Sequence, residues 1–497
     1  MTALALELSL PEAAAARLWR HPALSGHPRP AAEAEAEEWL WLDSAGGHLA
    51  AAGQALRAPP HTAPAGGRSL HRLGPAEPLP LPGLLAPPLE EETSPAALAG
   101  HDLLPRASYA GRRHHAAPPG EAGVALALRQ GRLRAGTAEA PLCRLELRGP
   151  AEAVLGLATL LARDLPLLPC ARSLDEAALA LAGGGPETPA RRGAPDLGGV
   201  ATPTDALALA IAHATGVVLA HAPLARPEAG PLAVHQMRVA TRRLRSCLRL
   251  FRPLLDGPTL RELDAALRGF ARALGEAREW DVFLTGLAAE ISAALGTPQR
   301  PEPRWNRLLR RAEQRRLDAY ARLATLLEGP EFRALVWAAL RAAALPDWAP
   351  ALPPGEEAPP LRHWARAVLT RRRRRLMKGA KGIASLPDAE LHALRLEAKR
   401  LRYAAELFAP LWPGKPARRY LRRLSALQEA LGLANDAVTA RALMAGLARR
   451  AEGRPAAPGW AIGLAEGWAL ASGQGMRAGA LAAWQRFARL DPFWEHG

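Results

Sequence analysis

Hydrophobic and polar residues alternate along several short segments in the first third of the chain. Residues 3–10 (ALALELSL) and 142–148 (LCRLELR) have the period of two that is typical of β-strands. Residues 124–136 (VALALRQGRLRAG) are predicted to form two short strands joined by a turn at Gln-Gly. Residues 151–163 have helical spacing, with Pro150 suited to the helix start. This half is therefore predicted to be α+β.

Proline and glycine mark the irregular segments. Residues 59–98 hold many prolines and are predicted to be a loop, in part disordered. A Gly- and Pro-rich linker at 183–204 is predicted to separate a domain at 1–182 from one at 205–497. In the second domain Leu and Ala recur at helical spacing, which predicts a bundle of about ten helices in two halves. Pro or Gly interrupts this spacing near 227–231, 253–258, 296–303, 344–360, 410–416 and 453–459.

Two segments of the second domain match at a constant offset. The first begins HQMRVATRRLR at His235, and the second begins HALRLEAKRLR at His392. Both fit the pattern H-x-x-R-x-x-x-[KR]-R-x-R, and the same offset pairs LGEARE at 274–279 with LGLAND at 431–436. Agreement over such a span indicates an internal duplication, and hence two similar helical halves.

At about 100° per residue, the motif places its cations on one side of a helix. In the first copy this basic stripe contains His235, Arg238, Arg242, Arg245, Arg249 and Arg252; in the second it contains His392, Arg395, Lys399 and Arg402. Apolar residues occupy the opposite side in both copies, and Arg243 lies off the stripe. At ~1.5 Å per residue the first stripe is about 25 Å long.

Like charges one turn apart destabilise a helix, and the first copy has no acid between His235 and Arg252. In the second copy Glu397 is predicted to pair with Arg400, and Glu406 with Arg402. An anion would relieve the repulsion, and arginine holds phosphate oxygens in a bidentate fashion. The formal net charge of +16 also favours an anionic partner. An ordinary solvated face is the simpler interpretation for one such helix, but two matching copies favour an extended polyanion.

The cysteines, the first residues and the apolar runs indicate in which compartment the protein is expected. The spacing of the three cysteines suits neither a disulfide framework nor a zinc site, so we expect reduced cysteines. The first residues lack a basic region followed by an apolar core, which predicts no signal peptide. No uninterrupted apolar run is expected to reach the ~18–20 residues that span a bilayer. These features predict a cytoplasmic protein with no membrane span.

The two motif copies, LGEARE with Asp281, and LGLAND together resemble the CHAD family, the conserved-histidine α-helical domain, over about 205–497. The resemblance implies two pseudo-symmetric four-helix bundles around a basic channel that binds inorganic polyphosphate. Carried over by position, the contacts would be His235, Arg238, Arg242, Arg243, Arg245, His392, Arg395, Lys399, Arg400 and Arg402, with Arg278 and Asn435 as weaker candidates. Glu279 departs from the family, since many relatives have Asp there.

The first domain resembles a degenerate CYTH domain, a β-barrel tunnel that binds or hydrolyses triphosphates through metal-holding carboxylates. The hallmark opening is Glu-x-Glu-x-Lys, but here residues 5–9 are ALELS, so only Glu7 is kept. Arg129, Arg144 and Arg148 stand where acids are common in that family, and Glu146 lies among them. Because divalent metals need clustered oxygen ligands, the resemblance implies no metal site and no catalysis.

The leading hypothesis is therefore non-catalytic binding of inorganic polyphosphate, with targeting to polyphosphate granules as an extension of it. No cofactor is expected. An inorganic triphosphatase acting through the first domain is one alternative. Nucleic-acid binding is another, although Tyr403 is the one aromatic residue placed among the basic stripes to stack a base. A scaffold for an acidic protein or a membrane surface stays open, as does the oligomeric state.

Overall fold

The structure is a computed structural model of the 497-residue chain. It describes residues 3–28, 34–60, 69–72, 84–85, 91–92, 102–120, 123–183, 193–295, 302–346, 348, 358–431, 441–447, 459–472 and 476–495. The chain divides into two compact units. The first comprises Met1–Arg192, Ile211–Ala220 and Leu326–Asp347, and the second comprises Gly193–Ala210, His221–Thr325 and Trp348–Gly497. Two stretches of the predicted helical domain thus group with the first unit.

The first unit is built on a curled antiparallel sheet of ten strands. The strands are β1 (Ala3–Ser9), β2 (Glu35–Ser44), β3 (Gln54–Ala58), β4 (Ser69–Arg72), β5 (Leu84–Leu85), β6 (Glu91–Glu92), β7 (Leu103–Ala116), β8 (Ala125–Ala135), β9 (Ala138–Pro150) and β10 (Leu168–Pro169). Their order is β10-β1-β9-β8-β7-β2-β3-β4-β6, and β5 also pairs with β1. The strands predicted at 3–10 and 142–148 are confirmed as β1 and as part of β9.

The turn predicted at Gln130-Gly131 is wrong, because both residues lie inside the continuous strand β8. Gly131 pairs in register with Gly111 of β7. A Cβ added at Gly131 would lie 2.4 Å from the carbonyl oxygen of Ala110 and 2.8 Å from the ring of Tyr109. Glycine is needed here because the neighbouring strand and a buried ring pack too closely for a side chain. Such a close approach is a common reason for glycine inside a strand.

Four helices accompany the sheet: α1 (Glu12–Leu18), α2 (His48–Ala51), α3 (Ala151–Asp164) and α4 (Leu174–Ala182). The prediction of a helix beginning after Pro150 is confirmed by α3. A capping box between Ser173 and Glu176 begins α4, which packs on the core cluster that contains Trp41 and Tyr109. The predicted loop at 59–98 contains the short strands β4, β5 and β6, and its residues 61–68, 73–83, 86–90 and 93–98 lie outside the described residues.

Residues after 200 form twelve α-helices in the part of the chain that the structure describes. They are α5 (Pro203–His221), α6 (Leu232–Phe251), α7 (Pro258–Thr285), α8 (Leu287–Ala294), α9 (Pro303–Glu328), α10 (Pro330–Ala344), α11 (Leu361–Gly379), α12 (Asp388–Phe408), α13 (Lys415–Ala430), α14 (441–447), α15 (Gly459–Ser472) and α16 (Met476–Ala488). The predicted interruptions at 227–231, 253–258, 296–303, 344–360 and 410–416 each separate two successive α-helices, with at most two of their residues inside an α-helix. The predicted interruption at 453–459 lies outside the described residues except for Gly459, which begins α15. The described part of this region is thus helical, as predicted.

One described segment, α5 with the three residues after it, has the length and composition of a candidate membrane span. Residues Pro203–Leu224 have a mean hydropathy of 1.7 and are long enough to cross a bilayer. However, 72% of their most apolar window is buried inside the structure. Such burial is typical of the core helix of a globular domain, because protein side chains cover the apolar surface that lipid would otherwise cover.

The internal duplication reappears in the helix boundaries. The last residues of α6 and α12, Phe251 and Phe408, are separated by the same offset as His235 and His392, and so are the first residues of α7 and α13. Phe251 and Phe408 pack together with ring centroids 6.2 Å apart. Trp364 of α11 contacts both rings, at 4.6 Å and 5.7 Å. Equivalent positions of the two copies therefore meet in one aromatic cluster.

Candidate functional site

Each motif helix is held by its apolar side. The predicted apolar residues of the first copy are all buried: Met237, Ala240, Leu244, Leu248 and Phe251 of α6, and Leu255 shortly after its end. Those of α12, namely Leu394, Leu401, Ala405 and Phe408, are buried as well. Burying these side chains supplies most of the stability of such helices and fixes their rotation about their own axes. The packing of the apolar side therefore fixes the direction in which the basic side of each helix faces.

Cations from both motif copies converge on the ring of Tyr403. The guanidinium carbon of Arg242 lies 5.5 Å from the ring centroid, and Nζ of Lys399 lies 5.9 Å from it. Burial and, after it, the charges of Arg242, Arg395, Arg238 and Arg249 together lower the pKa of Lys399 to about 8. Arg238 and Arg242 belong to α6, whereas Arg395 and Lys399 belong to α12. These four residues are called the cation cluster below.

Two members of the cation cluster, Arg242 and Lys399, lack a neutralising partner among the described residues. Burial lowers the pKa of Arg242, and the neighbouring charges of Arg238, Arg402 and Arg243 act in the same direction. The buried Nε of Arg242 has no hydrogen-bond partner among the described residues. Arg238 donates to the carbonyl oxygen of Ala271 at 3.4 Å, which satisfies a donor but neutralises no charge. Within the described chain, neither Arg242 nor Lys399 has an ion pair, so repulsion across the cluster is left for an external anion to relieve.

Other motif cations are paired with acids. Nη2 of Arg243 donates to Glu406 at 2.8 Å, and Nε of Arg245 donates to the buried Asp264 at 2.9 Å. Arg400 pairs with Glu397, as the sequence predicted. The predicted pair of Arg402 with Glu406 is also present at 3.5 Å, and Nη1 of Arg402 donates to Oγ of Ser425 at 3.2 Å. The uncompensated part of the basic stripe is therefore shorter than the helical wheel suggests, since Arg245 has an acid of its own.

The remaining predicted residues lie around this centre. His235 is half-buried near the start of α6, and His392 is exposed on α12. Arg278 of α7 is half-buried; burial lowers its pKa and Arg238 adds to that effect, which places Arg278 near the cluster. Asn435 lies outside the described residues.

The sequence did not indicate that Tyr403 and Arg249 belong to the site. It named Tyr403 only as a base-stacking candidate, whereas Arg242, Lys399 and Arg402 all lie over its ring. It also left Arg249 out of the contact set, although Arg249 acts on the pKa of Lys399. The position of Arg249 on the helical wheel was the available signal for including it.

The two acids that the sequence singles out in the first unit, Glu7 and Glu146, both form ion pairs with arginines. Glu7 and Glu146 are register partners on β1 and β9. Arg144 donates to Glu7 at 2.8 Å, while Arg129 and Arg148 both donate to Glu146. Burial raises the pKa of Glu7 against the opposing effect of Arg144, whereas for Glu146 the two arginines outweigh burial and lower the pKa. Among the described residues no group of three or more His, Cys, Asp or Glu could hold a metal ion.

Together the fold and the site define a protein with a curled antiparallel sheet followed by a helical region that carries a duplicated basic helix. Residues 209–445 match the family model of the CHAD domain. The helical region therefore contains a CHAD domain, which confirms the resemblance seen in the sequence.

Two solved structures are also similar to the chain. The CHAD domain from the plant Ricinus communis is 27% identical, with a TM-score of 0.49, over 62% of this chain and 98% of that one. PptA from Streptomyces chartreusis is 21% identical, with a TM-score of 0.44, over 57% of this chain and 99% of that one. No curated protein gives a significant match.

Proposed function

We propose that this protein binds inorganic polyphosphate, without catalysing a reaction on it, at the cation cluster between α6 and α12. The single observation that carries the proposal is the convergence of cations from both motif copies around Lys399. Half-buried cations that repel one another gain most from a ligand with closely spaced negative charges. A chain of phosphates is such a ligand, and arginine guanidinium groups match the geometry of its oxygens.

The proposal extends to the surroundings of the site. The repeated helix boundaries support two pseudo-symmetric four-helix bundles with the cluster in a shared basic channel. The curled sheet is compatible with a degenerate CYTH-like domain, in which arginines have taken the place of metal-binding acids. We expect such a protein to be cytoplasmic and to associate with polyphosphate granules.

The triphosphatase alternative receives less support from the first unit. Both buried acids that a metal would need, Glu7 and Glu146, already accept hydrogen bonds from arginines. A divalent cation placed beside them would also face the positive charges of Arg129 and Arg144. The proposal therefore treats these residues as a structural ion-pair network.

A competition experiment tests the ligand. Labelled long-chain polyphosphate is bound to the full chain and displaced by unlabelled polyphosphate, DNA, RNA or tripolyphosphate at equal phosphate concentration and fixed salt. We expect polyphosphate to be the strongest competitor, because its charges are the most closely spaced and need no base-stacking surface. Stronger displacement by DNA or RNA would make the protein a nucleic-acid binder and would overturn the proposal.

The affinity for polyphosphate is expected to depend on pH through Lys399. The Lys399 pKa of about 8 means that this side chain is charged at pH 7 and loses its charge as the pH rises. Bound phosphates favour the charged form, so affinity should fall roughly tenfold between pH 7 and pH 9. The Lys399→Arg variant keeps its charge over this range and should bind with nearly constant affinity. Isothermal titration calorimetry at several pH values measures both, and a flat wild-type profile would contradict the assignment.

A further inference from the structure

The exposed face of α13 carries a second set of cations, distinct from the cation cluster. This set, called the α13 stripe below, consists of Lys415, Arg418, Arg419, Arg422 and Arg423, and all five are exposed. Their spacing is i, i+3, i+4, i+7 and i+8, which places them together along one side of a helix. The opposite side of α13 is buried through Ala417, Tyr420, Leu424 and Leu427, so the stripe cannot rotate away from solvent.

Nothing in the described part of the chain neutralises the α13 stripe. Some exposed arginines elsewhere in the second unit do have acids: Arg261 pairs with Asp256, Arg304 with Glu302, and Arg322 with Glu276. Among the described residues no member of the stripe has an ion pair. The nearest acid along α13 is Glu429, which accepts a hydrogen bond from Ser425. Three pairs of like charges at i,i+4 therefore destabilise α13, and no ion pair among the described residues compensates for them.

The internal duplication provides a comparison within the same chain, because α7 is the counterpart of α13. At the offset that relates His235 to His392, the α13 stripe corresponds to Pro258, Arg261, Glu262, Ala265 and Ala266. The counterpart thus has one cation, which is already paired, and one acid. The motif helices carry matching cations in both copies, but α13 differs from its counterpart. Neither helix formation nor core packing explains that difference, since α7 achieves both without the cations.

The α13 stripe is connected to the motif. Arg402 of α12 donates to Oγ of Ser425, which lies one helical turn after Arg422. Arg402 also lies over the ring of Tyr403, to which Arg242 and Lys399 of the cation cluster are adjacent. A path of cationic and hydroxyl groups therefore leads from the cation cluster through Arg402 and Ser425 to the stripe.

We propose that the α13 stripe is an extension of the binding site that holds the part of a long polyphosphate chain leaving the cation cluster on the α12 side. This inference rests on the proposed function and adds to it a preference for long chains and a direction for the bound chain. The exposed face of α13 has no large apolar side chain, which argues against insertion into a membrane and against a hydrophobic protein interface.

The test converts the α13 stripe to the residues of its counterpart. The triple variant R419E/R422A/R423A places in α13 the residue types that α7 has at Glu262, Ala265 and Ala266. Because all three positions are exposed and Ala and Glu are good helix formers, the variant is expected to fold. Its affinity for long-chain polyphosphate should fall roughly tenfold, with a shallower dependence on salt. Its affinity for tripolyphosphate should stay unchanged, because a short ligand is held by the cation cluster alone.

The matched control is R307E/R310A/R322A on α9, which makes the same change in net charge at exposed positions away from the stripe. Calorimetry with both ligands is performed on the wild type, the triple variant and the control. An unchanged long-chain affinity in the triple variant, an equal loss for both ligands, or an equal loss in the control would each overturn the extension site. A wild-type protein that binds neither ligand would instead overturn the proposed function itself.

Discussion

The double variant R242E/K399E is expected to lose polyphosphate binding, with affinity reduced by roughly 1,000-fold. These residues come from different motif copies, and both lie at the centre of the cation cluster. Reversing them removes two favourable contacts with phosphate and introduces two repulsive ones, which costs on the order of 4 kcal/mol of binding free energy. Calorimetric titration with long-chain polyphosphate measures the loss.

The same variant should remain folded and is expected to be at least as stable as the wild type. A glutamate at position 242 or 399 would lie among Arg238, Arg395 and Arg402, so it would relieve repulsion that the free wild-type protein retains. Thermal unfolding without ligand measures this, and added polyphosphate should raise the Tm of the wild type only. The variant R307E/R322E serves as the control for net charge, and retained binding in R242E/K399E would show that the ligand site lies elsewhere.

The largest effect on stability is expected for Phe251→Ala. Phe251 is fully buried where the two motif helices meet, and it contacts both Trp364 and its own counterpart Phe408. Truncation removes the ring and leaves a cavity between them, which lowers the free energy of unfolding by about 3–5 kcal/mol. Denaturant unfolding monitored by tryptophan fluorescence measures the change.

Phe251→Leu is the control for this prediction, because it keeps much of the buried volume and should cost clearly less. The same comparison at Phe408 should give a similar ranking, since the two rings occupy equivalent places in the duplication. A loss below about 1 kcal/mol for Phe251→Ala would mean that the contact between the copies is not part of the stable core.

Local patterns along the chain were sufficient to predict several secondary-structure elements and the buried sides of the motif helices. Alternation identified β1 and β9, and proline at position 150 correctly marked the start of α3. Periodicity alone identified which side of α6 and of α12 is buried. These features depend on neighbours within one or two turns, so they are visible in the order of residues.

Pairings between distant residues were not predictable in the same way. Gln130-Gly131 has the composition of a turn, but the strand continues because Gly131 faces Gly111 under a buried tyrosine. Arg245 has the spacing of a ligand contact, yet it donates a hydrogen bond to Asp264, an acid on the next helix along the chain. Sequence spacing cannot reveal such partners, because they meet only when separate elements pack.

The duplicated motif, the basic charge and the amphipathic character of both motif helices are properties of the sequence. Which cations are neutralised is a property of the tertiary structure. Arg243 and Arg242 are neighbours in sequence, but Glu406 neutralises the first while the second remains uncompensated beside Lys399. The physical reason is that interactions between charges depend on distance and burial, and the packing of α6 against α12 sets both.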